Sequence, residues 1–246
     1  GDDGFTGLTN LSYFVAQDIM VFTSVTSGTK SGGFNGVAGE GAPREFEQED
    51  STNYELGIKS RMLDERLQLN ATAFYTEFTD LQFIAQNPTG TGFYVSNAAE
   101  GTSQGVDLAI SAMPLANLIL DGGLQYLDAQ YTKGQLENFD VPFAPTWTGN
   151  LAATLLLPLA DGMTYLRGDY SFMGDHFANN TYQPPETEQD KSLVNARLGW
   201  RNDNWDAALW VKNITDEAYS AQTAAPITFT GTLAEFLEAP RTYGVT

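Results

Sequence analysis

Val106-Asp107-Leu108-Ala109-Ile110-Ser111-Ala112, followed by Met113-Pro114-Leu115-Ala116-Asn117 and then by Leu118-Ile119-Leu120-Asp121-Gly122-Gly123-Leu124-Gln125-Tyr126, decides the fold class. In the first segment Val106, Leu108, Ile110 and Ala112 alternate with Asp107, Ala109 and Ser111. In the second, Leu118, Leu120, Gly122, Leu124 and Tyr126 alternate with Asp121, Gly123 and Gln125. A period of two belongs to an extended strand with one face in an apolar medium and the other in a polar one. The segment Met113–Asn117 between them is short and predicts a tight reversal, so the two strands are expected to pair antiparallel.

The same period recurs along the chain, in Tyr54-Leu56-Ile58, Leu67-Leu69-Ala71-Ala73-Tyr75, Val194-Ala196-Leu198-Trp200 and Trp205-Ala207-Leu209-Val211. Strands are expected over roughly 5–14, 18–30, 51–62, 67–83, 92–112, 118–131, 147–157, 163–175, 191–201 and 205–214, with an eleventh starting near Arg241. Most exceed the roughly 5–6 residues typical of globular proteins and approach the roughly 9–11 tilted residues that cross a bilayer. Short connections (15–17, 63–65, 113–117, 158–162, 202–204) alternate strictly with long ones (31–50, 84–91, 132–146, 176–190, 215–240). All long loops therefore lie at one end, the outer-membrane pattern of tight periplasmic turns and long external loops. Aromatic residues gather where strands meet loops, as interfacial girdles do: Tyr54 and Tyr75 lie in such strands, and Tyr126, Trp147, Tyr170, Trp200, Trp205 and Tyr243 lie near strand ends.

Composition agrees. Of the 246 residues 42% are hydrophobic, 12% aromatic and 17% charged, and there are 24 glycines. The absence of cysteine excludes disulfides and Cys-based zinc sites. A net charge of −19 argues against nucleic acid as a partner. The longest apolar stretch, Leu151 to Ala160, is interrupted by Thr154 and Pro158, too short for a transmembrane helix. The N-terminal Gly1-Asp2-Asp3-Gly4 does not read as a signal peptide.

No catalytic constellation, resident cofactor or metal site is expected. Gly101-Thr102-Ser103-Gln104-Gly105 matches the nucleophile-elbow pattern, but that motif needs a strand before it and a helix after it, and here a strand follows. The single histidine, His176, falls in a loop without a ligand set around it. Asn202-Asp203-Asn204 reads as a turn, and Glu45, Glu47, Glu49 and Asp50 as a solvated acidic loop face. The sequons at Asn70 and Asn213 fall inside expected strands and are read as chance.

Six short motifs add a family likeness: Ser31-Gly32-Gly33-Phe34-Asn35; Asn53-Tyr54-Glu55-Leu56-Gly57-Ile58-Lys59; Ala73-Phe74-Tyr75 with Asp80-Leu81-Gln82; Asn97-Ala98 with Gly105-Val106-Asp107; Asn213-Ile214-Thr215-Asp216 with Tyr219; and Pro240-Arg241-Thr242-Tyr243-Gly244-Val245. In this order and spacing they resemble the C-terminal barrel half of TonB-dependent receptors, siderophore receptors above all. The likeness covers essentially the whole chain, with Gly-Val-Asp where Gly-Val-Glu is usual and Thr246 reached before the aromatic residue on which the family normally ends. It implies an all-β, antiparallel transmembrane β-barrel, with residues 1–246 forming about eleven C-terminal strands of a roughly 22-stranded barrel. The plug domain and first barrel half would lie elsewhere, and the last strand would run about five residues further.

The resemblance further implies a bacterial outer-membrane receptor. It would bind a scarce external solute, a ferric siderophore foremost, and import it with energy from the TonB complex acting through the N-terminal plug. Lipid and lipopolysaccharide would surround it. Aromatic and polar loop or upper-wall residues are the candidate ligand contacts: Phe34, Asn35, Arg44, Phe93, Tyr94, Phe143, Trp147, His176, Phe177 and Tyr182. Two alternatives remain at this point, a passive porin-like barrel and a soluble β-sandwich carbohydrate-binding module.

Overall fold

The structure, a computed structural model, describes residues 4–36, 41–86, 93–134, 136–177, 190–224 and 234–246. Its strands are β1 (Gly7–Ala16), β2 (Ile19–Lys30), β3 (Gly33–Phe34), β4 (Glu45–Phe46), β5 (Glu49–Met62), β6 (Leu67–Gln86), β7 (Phe93–Leu115), β8 (Leu118–Gly134), β9 (Trp147–Leu159), β10 (Gly162–Met173), β11 (Lys191–Arg201), β12 (Asp206–Lys212), β13 (Ser220–Ala224), β14 (Ala234–Leu237) and β15 (Thr242–Val245). Eleven of them form one sheet in the order β1-β2-β5-β6-β7-β8-β9-β10-β11-β12-β15, each antiparallel to its neighbour. The remaining four make two hairpins, β3–β4 and β13–β14, inside two of the long loops. No helix occurs among the described residues.

Cross-strand partners share a face, so the register sorts every side chain. Leu56 pairs with Ala73, Ala73 with Val106, Val106 with Tyr126 and Tyr126 with Trp147, giving a continuous apolar row across five strands. One residue away, Gly57 pairs with Thr72, Thr72 with Asp107, Asp107 with Gln125 and Gln125 with Thr148. A shift of one residue thus separates an apolar face from a polar one over the whole sheet. Leu56 is 65% exposed, Leu151 55% and Leu209 57%, whereas the buried hydrophobic residues among those described are Ala99, Tyr131, Ala152 and Ala208. An apolar face this wide and this bare has the surface of a lipid-facing barrel wall, held by its hydrogen-bond ladder rather than by an internal core.

Glycines on the polar face make room for rings. Phe22 pairs directly with Gly57, Phe74 with Gly105, Tyr165 with Gly199 and Trp210 with Gly244. A Cβ on Gly199 would lie 2.2 Å from Tyr165 Cζ, so the ring occupies the space a side chain would need. Bulky aromatics therefore lie flat along the wall.

The short turns match the sequence reading, with local differences. Leu63, Asp64 and Glu65 are all left-handed (φ 57°, 54° and 64°) and reverse the chain between β5 and β6. The turn expected from Met113 begins later, because β7 continues to Leu115. Met113 N donates to Arg66 O at 2.8 Å, and the Arg66 guanidinium holds Met113 O and Pro114 O at 3.0 and 2.8 Å. Likewise β9 runs through Pro158 to Leu159, where Pro158 sits at the fading end of the ladder beside the Ala160–Asp161 turn. At the other end β6 and β8 outrun their expected ends, reaching Gln86 and Gly134.

Candidate functional site

The long-loop end carries the candidate residues, and side-chain amides organise it. Asn35 directly follows β3, inside the β3–β4 hairpin. Its Oδ1 accepts Val95 N at 2.8 Å, and its Nδ2 donates to Val95 O and Pro43 O, each at 3.0 Å. It thereby mimics a strand residue and joins the hairpin to the top of β7. Asn97 does the same lower down: Oδ1 accepts Glu47 N at 2.8 Å, and Nδ2 donates to Glu47 O and Asp80 O at 2.9 and 2.7 Å. Gln82 Nε2 donates to Ser31 O and Glu47 O, both at 3.0 Å, while its backbone N donates to Glu49 Oε2 at 2.9 Å. A loop of this length would otherwise present unpaired backbone groups. Three amides from the sequence motifs fasten it down.

This fastening brings Phe34, Asn35 and Arg44 next to Phe93 and Tyr94, which precede Val95 on β7. Phe34 is 77% exposed and Phe93 47% exposed, and Arg44 also faces solvent. Asn35 belongs to the scaffold: its three side-chain hydrogen bonds all go to the protein's own backbone. A second group forms where the loop after β8 folds back along that strand. Asn138 N donates to Tyr131 O, Val141 N to Ala129 O and Leu127 N to Thr146 O, each at 2.9 Å. Phe143, left-handed at φ 59° and 48% exposed, donates its N–H to Phe177 O at 2.8 Å, linking this loop to the one after β10. His176 Nδ1 lies 3.0 Å from Gly174 O and is half-buried.

The Trp147 side chain turns away from both groups, although the Trp147 backbone O accepts Gly174 N at 2.7 Å. Its register puts it on the apolar face with Tyr126, ring centroids 4.9 Å apart. It shares the upper edge of that face with Tyr54, Tyr75 and Tyr170, a girdle position facing away from the lumen. The alternation Trp147-Gly149-Leu151 carried this signal in the sequence. Tyr182 falls outside the described residues.

A third group was not anticipated. Lys191 at the top of β11 pairs with Glu238 at 2.7 Å and lies 4.8 Å from the Tyr219 ring centroid. Glu238 N donates to Tyr219 O at 3.1 Å. Burial, and then the charge and hydrogen bond of Glu238, push the Tyr219 hydroxyl above its ordinary value. Asn213, 4% exposed, accepts Glu217 N and donates to Glu217 O, shaping the turn from which this loop departs. It lies just beyond β12, not inside a strand.

Below the loops the polar face is knitted locally. Ser24 donates to Glu55 at 2.9 Å, Asn53 to Glu55 at 3.0 Å, and Thr76 to Asn53 at 2.9 Å. Ser111 donates to Asp121 at 2.7 Å. Gly101–Gly105 is uninterrupted strand, with Ser103 paired to Thr76 and Ala129, so its surroundings are not those of a nucleophile elbow. Asn202 Oδ1 accepts Asn204 N and Trp205 N, an ordinary side-chain-capped turn. The arrangement suits binding: exposed rings and a few polar groups on fastened loops, above a polar wall.

Known proteins share this architecture. Residues 1–214 match the family described as TonB dependent receptor-like, beta-barrel. The pesticin receptor of Yersinia enterocolitica is 25% identical over 222 residues, which cover 89% of this chain and 32% of that protein. The metal-pseudopaline receptor CntO of Pseudomonas aeruginosa is 30% identical over 123 residues, 50% of this chain and 16% of that protein. The crystal structure of the ferric yersiniabactin uptake receptor FyuA from Yersinia pestis superposes with a TM-score of 0.83 at 23% identity, over 98% of this chain and 36% of that one. The chain thus spans about a third of the length of the pesticin receptor (32%). On its sequence and its fold, the chain belongs to the TonB-dependent receptor-like β-barrel family of the bacterial outer membrane.

Proposed function

We propose that residues 1–246 form the C-terminal barrel wall of a receptor that captures a ferric siderophore at its outer loops and imports it with energy from the TonB complex. One observation carries this reading. Asn35, Asn97 and Gln82 fasten one long loop and backbone bonds to β8 fasten another, leaving Phe34, Phe93 and Phe143 exposed above a polar wall. A receptor gains affinity by presenting rigid rings whose ordering cost is met before the ligand arrives. Relatives named for metal-pseudopaline and ferric yersiniabactin point to metal chelates as the ligand class. The plug and its TonB-coupling segment would lie outside this chain, and lipid with lipopolysaccharide would surround the apolar face. Expected ligand contacts are Phe34, Arg44, Phe93, Tyr94, Phe143, His176 and Phe177.

The test uses the full-length receptor. Intrinsic fluorescence in detergent is titrated with ferric and iron-free siderophores, and radioactive iron uptake is compared in cells with and without TonB. Saturable quenching by a ferric chelate together with TonB-dependent uptake supports the reading. A passive pore, which the polar wall would also suit, predicts uptake independent of TonB and open conductance in planar bilayers.

A further inference from the structure

The polar face of β10–β12 holds an arginine with no carboxylate partner among the described residues. Arg167 and Arg197 are direct cross-strand partners, a placement that puts their Cβ atoms about 5 Å apart and sets like charges against each other. Arg167 is answered: Nε and Nη2 reach Asp169 Oδ1 at 2.8 and 2.7 Å, and Nη1 reaches Thr154 Oγ1 at 3.3 Å. Arg197 is not. It lies 5.6 Å from the Tyr165 ring centroid, and its Nε is buried without a hydrogen-bond partner among the described residues. Its partner on the other side is Trp210, which cannot accept.

The surroundings do not supply the missing charge. Apart from Lys191, latched to Glu238 above, this face of β10–β12 carries Arg167, Arg197, Arg201 and Lys212 against Asp169 and Asp206. Asp169 is taken by Arg167, and Asp206 faces Arg201 in register and Tyr165 Oη at 3.4 Å. We propose that Arg197 and Arg167 form an anion site on the lumen wall that takes a carboxylate side chain from the polypeptide filling the lumen. A half-exposed guanidinium with no carboxylate partner among the described residues suits an incoming carboxylate, whose two oxygens can take two parallel N–H bonds. Depth decides the source. Both arginines stand six residues below the loop ends of their strands, Met173 and Lys191, about 20 Å down the wall at 3.3 Å per residue. A solute held by the loops does not reach that depth.

This inference rests on the receptor reading above, in which a plug occupies the lumen. Arg197→Lys in the full-length receptor puts a carbodiimide-reactive amine at the site. Zero-length coupling followed by peptide mapping then reports any carboxylate in contact, with wild-type protein as the background for Lys59 and Lys212. The expected result is a new crosslink, absent from wild type, to an Asp or Glu outside residues 1–246. It is expected to be lost when Arg197→Lys is combined with replacement of that acid by its amide. A crosslink only to Asp169 or Asp206, a mass increase from a free small carboxylate, or no new product overturns the proposal. Protease protection of the N-terminal region separates the two failures. A protected region without a crosslink sinks the anion site alone, while an unprotected one sinks the plugged-receptor reading with it.

Discussion

Asp216 holds Arg241 at two points: Oδ1 accepts the Arg241 backbone N at 2.9 Å, and Oδ2 meets Nη2 at 3.3 Å. Arg241 also reaches back to Ile214 O at 3.2 Å through Nη1. The two residues bracket the excursion that contains β13 and β14, so this clasp sets where β15 re-enters the sheet beside β12. Both side chains are about half exposed, which limits the ion pair to about 0.2–1 kcal/mol. The backbone bond adds about 1 kcal/mol. Asp216→Ala is expected to lower the unfolding midpoint of the full-length receptor, while Asp216→Asn, which keeps the oxygen facing Arg241 N, recovers most of the loss. Equal loss in both variants in urea titrations would assign the effect to the ion pair alone.

What could be read in advance follows from where the information lies. Alternation such as Leu118-Leu120-Leu124 is local, and it located the eleven strands of the main sheet to within a few residues. Loop-length alternation is also local, and the strand order keeps the long connections at one end of the sheet. The role of Asn35 is not local, since its acceptor and donor partners sit on Val95, 60 residues away. An amide at a loop tip therefore looks like a ligand contact until its partner is known. Trp147 carries two signals, its parity with Leu151 and its place at a loop mouth, and the register follows the parity. The hairpins β3–β4 and β13–β14 are too short to show a period.

If Asn35 is a fastener, its variants will loosen the loop before they touch the barrel. Asn35→Ala removes three hydrogen bonds, and Asn35→Asp keeps one acceptor but sets a carboxylate against Val95 O and Pro43 O. Both are expected to speed proteolysis within residues 31–48 several-fold and to weaken ligand binding, with the unfolding midpoint of the barrel unchanged. Asp is expected to be the worse of the two. An unchanged proteolysis rate would return Asn35 to the list of direct ligand contacts.

The two-face assignment is tested by neighbours. Leu108 lies on the apolar face between Ala71 and Leu124, and Ala109 on the polar face between Asn70 and Gly123. Arginine at the lipid-facing position near mid-membrane is expected to cost about 2–4 kcal/mol, whereas at Ala109 it faces the lumen and costs far less. Reversible folding of the full-length receptor into vesicles, titrated with urea, measures both. Equal costs for Leu108→Arg and Ala109→Arg would contradict the assignment.

The Lys191–Glu238–Tyr219 latch should open in alkali. Tyr219 is raised above its ordinary value of 10.0, first by burial and then by Glu238. The folded state therefore holds the proton more tightly than the unfolded one. That contribution is complete below pH 10 and is lost as pH rises through the elevated value. Protease access to the 215–240 loop is expected to rise above about pH 10 in wild type, and Tyr219→Phe should flatten that alkaline limb. A limb unchanged in Tyr219→Phe would place the titrating group elsewhere.

Two glycines on neighbouring strands should respond oppositely to the same methyl group. At Gly199 a Cβ meets Tyr165 Cζ at 2.2 Å and Oη at 2.4 Å, while at Gly168 nothing lies within 4 Å. Gly199→Ala must push the Tyr165 ring off the wall. That disturbs its stack with Arg197, 5.6 Å away, and its bond to Asp206 at 3.4 Å. The expected cost is about 1–3 kcal/mol of overpacking. Gly168→Ala adds a methyl to the open apolar face and reduces the freedom of the unfolded chain, so it should be neutral or stabilising by up to about 1 kcal/mol. Combining Gly199→Ala with Tyr165→Ala removes the clash, and the double variant should be less destabilised than the sum of the two singles. Strict additivity in that cycle would mean that the ring does not rest on the glycine.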